Sequence, residues 1–72
     1  MKMGNMVDVI FYMDRISPQN IIDGYKNIKN IPTVGEHVIV NENCYEVTER
    51  VFDFDFNTLH ITLNPSKRRF IR

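Results

Sequence analysis

Residues 31–40, Ile-Pro-Thr-Val-Gly-Glu-His-Val-Ile-Val, constrain the fold of this chain more than any other segment. Pro32 fixes its own φ, and Gly35 supplies the positive φ that a tight turn often needs. The alternation over residues 37–40 then predicts a β-strand. The polar trio at residues 41–43 predicts a hairpin connection to a second strand. The architecture is therefore expected to be rich in β-structure.

Three further segments have the β-branched and aromatic residues typical of strands. Residues 7–13 predict a central strand covered on much of both faces. Residues 44–54 predict a long strand. Strict alternation along it would turn Glu49 inward, so a bulge is expected near residues 48–50. Residues 59–63 alternate cleanly. The predicted core is Val9, Phe11, Val38, Val40, Tyr45, Val47, Val51, Leu59, Ile61 and Leu63.

The segment before the turn allows two interpretations. Ser17 followed by Pro18 is the pairing expected at the N-cap and first position of a helix. A short helix over residues 18–27 is the prediction. Gly24 costs such a helix about 1 kcal/mol relative to Ala, so a loop with a brief strand over residues 24–28 stays open.

These elements predict a mainly β fold with one short helix. We expect a small, strongly bent antiparallel sheet or open β-barrel of four to five strands, of the Src-homology-3-like or OB-like type. Curling the sheet limits the exposed edges that an open sheet would leave.

The length of 72 residues predicts one domain, residues 1–72, of which we expect residues 1–5 to fray. Folding at this size buries only about 60% of the surface of the unfolded chain, so we expect a homo-oligomer, with a dimer favoured. Cys44 is the only cysteine, which excludes an internal disulfide and favours the cytoplasm over secretion. No signal peptide or membrane-spanning run is recognisable, so no membrane partner is expected.

The spacing of several turn and core residues resembles that of a group of known proteins. Residues 32–38 have the pattern Pro-x-Val-Gly-Glu-x-Val, and Tyr-x-Val at 45–47 and Val-Phe at 51–52 follow. The pattern is similar to that of small uncharacterised β-barrel proteins of bacterial and phage genomes. This resemblance implies a small barrel and a phage origin. It assigns no catalytic or binding residue.

The sharpest functional signal is the alternation of Phe52, Phe54 and Phe56 with Asp53 and Asp55. On a strand, this pattern puts three rings on one face and two carboxylates on the other. Because the predicted core positions lie on the opposite parity, the rings are expected to face outward as a protein interface. The alternative, in which a twist or bulge brings one or two rings into the core, stays open. We interpret the carboxylates as solvated charges that deter sheet aggregation.

Metal binding and catalysis have little support in the residue pattern. Binding of a zinc ion by His37, His60 and Cys44 requires that the two histidine strands be neighbours, and the spacing of these residues matches no zinc motif. Ser17 and Ser66 both adjoin proline and are better explained as cap or turn residues. We therefore expect no metal, no cofactor and no enzymatic activity.

The C-terminus carries an unopposed basic cluster, although the net charge of the chain is zero. Guanidinium groups bind phosphate, and an aromatic ring among them stacks on a base. The zero net charge argues against a general nucleic-acid binder and favours a small anionic ligand. The predicted ligand site comprises Lys67, Arg68, Arg69, Phe70 and Arg72.

Two main hypotheses for function follow. The first is a non-enzymatic oligomer that captures a nucleotide or other phosphorylated ligand, for example a phage protein that sequesters a host defence signal. The second is a protein-binding inhibitor or adaptor that blocks a host protein through its aromatic and acidic face. A barrel that binds single-stranded nucleic acid is a further alternative.

Overall fold

A computed structural model describes residues 6–67 of the chain. Its five strands form one curled, mixed sheet, a half-barrel, in the order β2-β1-β5-β4-β3. The elements are β1 (Val7–Met13), a 3-10 turn (Pro18–Asn20), β2 (Ile21–Ile28), β3 (His37–Val40), β4 (Asn43–Asp53) and β5 (Thr58–Pro65). The mainly β prediction is confirmed. The sheet is not purely antiparallel, because β1 and β5 run parallel.

The predicted helix over residues 18–27 is wrong. Only a 3-10 turn forms at Pro18–Asn20, and the rest of the segment is the edge strand β2. This strand pairs antiparallel with β1, which gives the backbone of that central strand a partner on its second side. The alternative strand over residues 24–28 is therefore confirmed, with an earlier start at Ile21.

The core lies on one face of the sheet, here called the inner face. Its buried apolar members are Val9, Phe11, Val40, Tyr45, Val47, Leu59, Ile61 and Leu63. The predicted core residue Val38 is half-buried and packs against this cluster. Val51, also predicted to be buried, is 43% exposed, so its assignment to the core is wrong.

A β-bulge in β4 explains the error at Val51. The register of β4 against β5 shifts directly after Val47, so Thr48 is the extra residue. An extra residue reverses the side-chain alternation, and residues directly opposite in an antiparallel pair face the same side. Beyond the bulge Phe52 lies opposite the buried Leu59, on the inner face, and Val51 therefore lies on the outer face.

The turns that frame β3 follow the predicted backbone geometry. Gly35 has a φ of 95° in the turn closed by the Glu36 N–H, which donates to the Thr33 carbonyl at 3.0 Å. Asn41 and Glu42 both have positive φ and form a two-residue hairpin between β3 and β4. Positive φ at both central positions is the type I′ geometry that matches the twist of a hairpin.

Candidate protein interface at an aromatic tip

The turn between β4 and β5 exposes large aromatic side chains. Phe54 is 87% exposed and Phe56 is 76% exposed. Phe52 lies near the end of β4 and is 37% exposed. We call Phe52, Phe54 and Phe56, together with Asp53 and Asp55, the aromatic tip. Because β4 ends at Asp53, the rings do not form the predicted outward row on a strand. Two of them project from a turn instead.

The rings of the aromatic tip have few contacts with the rest of the protein. Phe52 and Phe54 make an edge-to-face contact, with ring centroids 4.7 Å apart and ring planes at 88°. Such pairs are favourable by about 0.5 to 1.5 kcal/mol beyond the area that they bury. The contact fixes the two rings relative to each other and leaves most of the Phe54 surface in water.

The Asp53 side chain holds the backbone of the aromatic tip. Its Oδ1 accepts hydrogen bonds from the Asp55 N–H at 2.9 Å and from the Phe56 N–H at 3.3 Å. The Thr58 hydroxyl donates to the Phe56 carbonyl at 2.9 Å. An aspartate that accepts from the backbone two residues ahead is a common device for ordering a turn. The exposed rings therefore project from an ordered backbone.

A buried tyrosine and a histidine support Asp53 from the outer face of the sheet. The Tyr12 hydroxyl lies 2.7 Å from His60 Nδ1, and His60 Nε2 lies 3.7 Å from Asp53 Oδ2. Burial raises the pKa of Tyr12 above its ordinary value, so the phenol keeps its proton at neutral pH.

The sequence did not reveal this Tyr12–His60–Asp53 series. Its members lie on three different strands, and only the observed sheet order and bulge bring them together. The alternation of β5 did place His60 on the outer face, as predicted. The burial of Tyr12 on that face agrees with the prediction that the strand of residues 7–13 is covered on much of both faces.

The two histidines do not meet. β4 lies between β3, which carries His37, and β5, which carries His60. His37 Nδ1 is 2.9 Å from the Ser66 hydroxyl instead. Among residues 6–67 no group of three or more His, Cys, Asp or Glu side chains is placed to hold a metal ion.

The predicted ligand cluster falls almost entirely outside the described residues. Lys67 follows β5 and is exposed. Arg68, Arg69, Phe70 and Arg72 lie beyond residues 6–67, so the cluster stays a prediction. In the described range, no helix has the length and apolar character needed to cross a membrane.

Comparisons with protein-family models, with curated proteins and with solved structures found no match to this chain.

Proposed function

We propose that this protein is a non-enzymatic protein-binding module, an inhibitor or adaptor, that inserts its aromatic tip into an apolar pocket of a target protein. The observation that carries the proposal is the exposure of Phe54 and Phe56 on a turn. The backbone of this turn is ordered by hydrogen bonds to the Asp53 side chain. Exposed aromatic rings contribute nothing to the core. Aromatic side chains are, however, enriched among the few residues that dominate binding energy at protein interfaces.

Order in the turn supports the proposal for a thermodynamic reason. Binding loses free energy when it immobilises flexible groups, and a backbone already fixed by hydrogen bonds loses less. The edge-to-face pair of Phe52 and Phe54 has the same effect on two of the rings. The aromatic tip thus combines apolar area with a prearranged shape.

The charges around the rings indicate the chemistry of the target. Asp55 is exposed and has no ion-pair partner within residues 6–67. Carboxylates at the rim of an interface steer association toward a basic surface. We infer a target pocket that is apolar at its centre and bears lysine or arginine at its edge. On the resemblance alone, the proposal extends to a phage-borne inhibitor of a host protein.

The test is affinity capture from a bacterial lysate with three immobilised proteins. These are the wild type, the tip variant Phe54→Ser/Phe56→Ser, and the control Val34→Ser, which removes an apolar side chain that is 59% exposed in a different turn. A protein retained by the wild type and the control but lost by the tip variant is then purified and titrated. We expect the tip variant to bind it at least about 30-fold more weakly, the loss typical of an aromatic hot spot.

Urea denaturation of the same three proteins is the folding control. Both rings are exposed, but Phe54→Ser removes the edge-to-face contact with Phe52, so the tip variant is expected to unfold within about 1.5 kcal/mol of the wild type. Equal retention of the captured protein by the tip variant would overturn the proposal. Recovery of no specific partner would overturn it as well.

A further inference from the structure

The edge strand β2 contains the only glycine of the chain that follows an aspartate, Gly24 after Asp23. In an aspartate–glycine pair, the backbone nitrogen of the glycine can approach the aspartate carboxyl group closely, because glycine has no Cβ to hinder it. Gly24 is exposed and Asp23 is half-buried. Water therefore has access to the peptide bond that joins them.

The Asp23 side chain is folded back onto the amide that follows it. The Gly24 N–H donates a hydrogen bond to Asp23 Oδ1 at 2.8 Å. Because Cγ is bonded to Oδ1, the Gly24 nitrogen also lies close to the carboxyl carbon. Two groups that are held within about 3 to 3.5 Å of each other react faster than the same groups in a flexible chain. The structure thus aligns a nitrogen with a carboxyl group of the neighbouring residue.

A second hydrogen bond holds the carboxylate in this orientation. Burial raises the pKa of Tyr25, and so do the negative charge of Asp23 and a hydrogen bond between the two side chains. The phenol therefore keeps its proton at neutral pH, and a carboxylate can only accept a hydrogen bond from it. Tyr25 itself packs edge to face against Phe11, with ring centroids 5.9 Å apart. The Asp23 carboxylate is thus fixed between its own following amide and an anchored tyrosine.

Asp53 provides a contrast within the same protein. Its Oδ1 accepts hydrogen bonds from N–H groups two and three residues ahead, those of Asp55 and Phe56. The residue directly after it is Phe54, whose Cβ hinders the approach of its backbone nitrogen to the Asp53 carboxyl group. Asp53 therefore lacks the arrangement that Asp23 has, although both carboxylates accept hydrogen bonds from the backbone.

We propose that Asp23 is a modification site, at which aspartate converts spontaneously to isoaspartate through a cyclic imide. The Gly24 nitrogen forms a bond to Cγ of the protonated Asp23 carboxyl group, and the carboxyl OH leaves with the amide proton as water. A water molecule then adds to the main-chain carbonyl of Asp23 and breaks its bond to the nitrogen, so that the chain runs through Cγ. Addition of water to Cγ instead restores aspartate. The reaction has water as its only co-reactant and is independent of the proposed function.

The product changes the pairing of β2 with β1. Isoaspartate lengthens the backbone by one methylene group between Asp23 and Gly24, which lie opposite Phe11 and Ile10. The register of the two strands already shifts on either side of this segment, so residues 23–25 are the regular part of the pairing. An extra backbone atom interrupts that part. The modification therefore loosens an edge of the sheet and leaves the pairing of β1, β5, β4 and β3 unchanged.

Ageing of the purified, folded protein in mildly acidic buffer, followed by digestion with trypsin, measures the reaction. The tryptic peptide of residues 16–26 contains Asp23 as its only aspartate, and that of residues 51–67 contains Asp53 and Asp55 as an internal control. Isoaspartate leaves the mass of a peptide unchanged, alters its chromatographic retention and makes it resistant to a protease that cleaves before aspartate.

We expect isoaspartate in the first peptide and none in the second. The rate in the folded protein is expected to equal or exceed the rate in a synthetic peptide of residues 16–26, because the folded chain holds the reacting groups together. A lower rate in the folded protein would mean that the strand protects Asp23, and the proposal would be wrong. Equal formation of isoaspartate in the control peptide would contradict it as well.

Gly24→Ala is the matched variant for the attacking nitrogen. An added Cβ meets the Val9 carbonyl oxygen at 3.7 Å and Ile10 Cγ1 at 3.8 Å, which are ordinary contacts, so the variant is expected to fold. Its methyl group hinders the approach of the nitrogen to Cγ. The rate is expected to fall at least about tenfold, which corresponds to a barrier higher by about 1.4 kcal/mol. An unchanged rate in this variant would refute the mechanism.

Asp23→Asn keeps the proposal testable if Gly24→Ala fails to fold. Asparagine has nearly the same shape as aspartate, and its reaction with the Gly24 nitrogen releases ammonia in place of water. The same imide forms, so Asp23→Asn is expected to yield isoaspartate faster than the wild type does. Absence of isoaspartate from the folded Asp23→Asn protein would show that the Gly24 nitrogen cannot reach the side chain, which would also refute the proposal.

Discussion

β4 is joined to its neighbours by two hairpin turns of opposite character. The turn to β3 consists of Asn41 and Glu42, is polar and is as short as a hairpin allows. The turn to β5 spans residues 54–57 and exposes the two rings of Phe54 and Phe56. Both turns reverse the chain with ordered backbones, so reversal alone does not require phenylalanine. The two exposed rings of the second turn are therefore not needed for the reversal of the chain.

The same contrast extends into β4 itself. On the β3 side of the bulge, Tyr45 and Val47 are buried in the core. On the tip side, Val51 and Phe52 are both exposed to a substantial extent, although the residue types are just as apolar. The apolar side chains of β4 are therefore buried at one end of the strand and exposed at the other. Four predictions test this division, from the largest expected effect to the smallest.

Replacement of Val47 by Ala, compared with the same change at Val51, tests the division most directly. Val47 is fully buried, so Val47→Ala is expected to lower the free energy of unfolding by about 1 to 3 kcal/mol through lost burial and a residual cavity. Val51→Ala is expected to change it by less than about 0.5 kcal/mol. Urea denaturation midpoints measure both. Equal losses would mean that the register beyond the bulge is wrong.

The predicted basic cluster tests the ligand-binding hypothesis against the protein-binding one. The Ser66 N–H donates to the Cys44 carbonyl at 3.1 Å, so Lys67 follows β5 near the start of β4. If the cluster binds a nucleotide, Arg68→Ser/Arg69→Ser is expected to weaken the complex at least about tenfold and to flatten its salt dependence, because charge-assisted bonds to phosphate are lost.

Calorimetric titration with nucleotides, cyclic oligonucleotides and single-stranded DNA measures that effect. Phe54→Ser/Phe56→Ser is the control, because its substitutions lie at the other end of β4. Nucleotide binding that survives in the control and disappears in the arginine variant would move the ligand-binding hypothesis ahead of the protein-binding one.

The bulge that separates the two halves of β4 depends on a hydroxyl pair. Thr48 Oγ1 lies 2.7 Å from Oγ1 of Thr62, whose side chain is buried on the outer face. Thr48→Val keeps the shape of the side chain but leaves the Thr62 hydroxyl with one partner fewer. We expect a loss of about 1 kcal/mol in the free energy of unfolding. Thr33→Val, at an exposed position outside the sheet, is the control. Equal losses of unfolding free energy at the two sites would mean that the hydroxyl pair at the bulge does not stabilise the protein.

The polar turn is expected to improve when glycine replaces Glu42. Glu42 has a φ of 72°, a left-handed conformation that costs most residues with a Cβ roughly 1 to 2 kcal/mol. Because glycine loses more conformational entropy on folding, the net gain for Glu42→Gly is expected to be at most about 1 kcal/mol. Glu42→Ala is the matched control and should give no gain. A gain from alanine would trace the effect to the charge rather than to φ.

The sequence predicted those elements whose signals are local. Periodicity located β1, β3, β4 and β5, and Pro32 and Gly35 marked the turn before β3. Residues 21–28 form a strand because they pair with β1. This pairing is a tertiary contact, and local sequence preferences do not report it. The Ser17-Pro18 pair begins only the 3-10 turn, and it therefore misled the prediction of a longer helix.

The sequence predicted which phenylalanines belong to the candidate site, but it did not predict how they are arranged. The exposed phenylalanines were found, but the bulge reversed the side on which Phe52 lies, and the early end of β4 moved Phe54 and Phe56 into a turn. The predicted bulge near residues 48–50 is confirmed, but the local pattern did not fix its exact position, and a one-residue shift in register changes the facing of every residue after it. Tyr12 and His60 were missed because their contact spans two strands that are remote in the chain.

The parallel pairing of β1 with β5 has a consequence for how the chain folds. Phe11 lies opposite Ile61, so the two central strands of the sheet come from opposite ends of the sequence. Contacts between residues so far apart slow folding, because the chain loses loop-closure entropy before these contacts contribute. During synthesis, the hairpin of β3 and β4 is complete while β5 is still missing. The centre of the sheet therefore forms only after β5 has been synthesised.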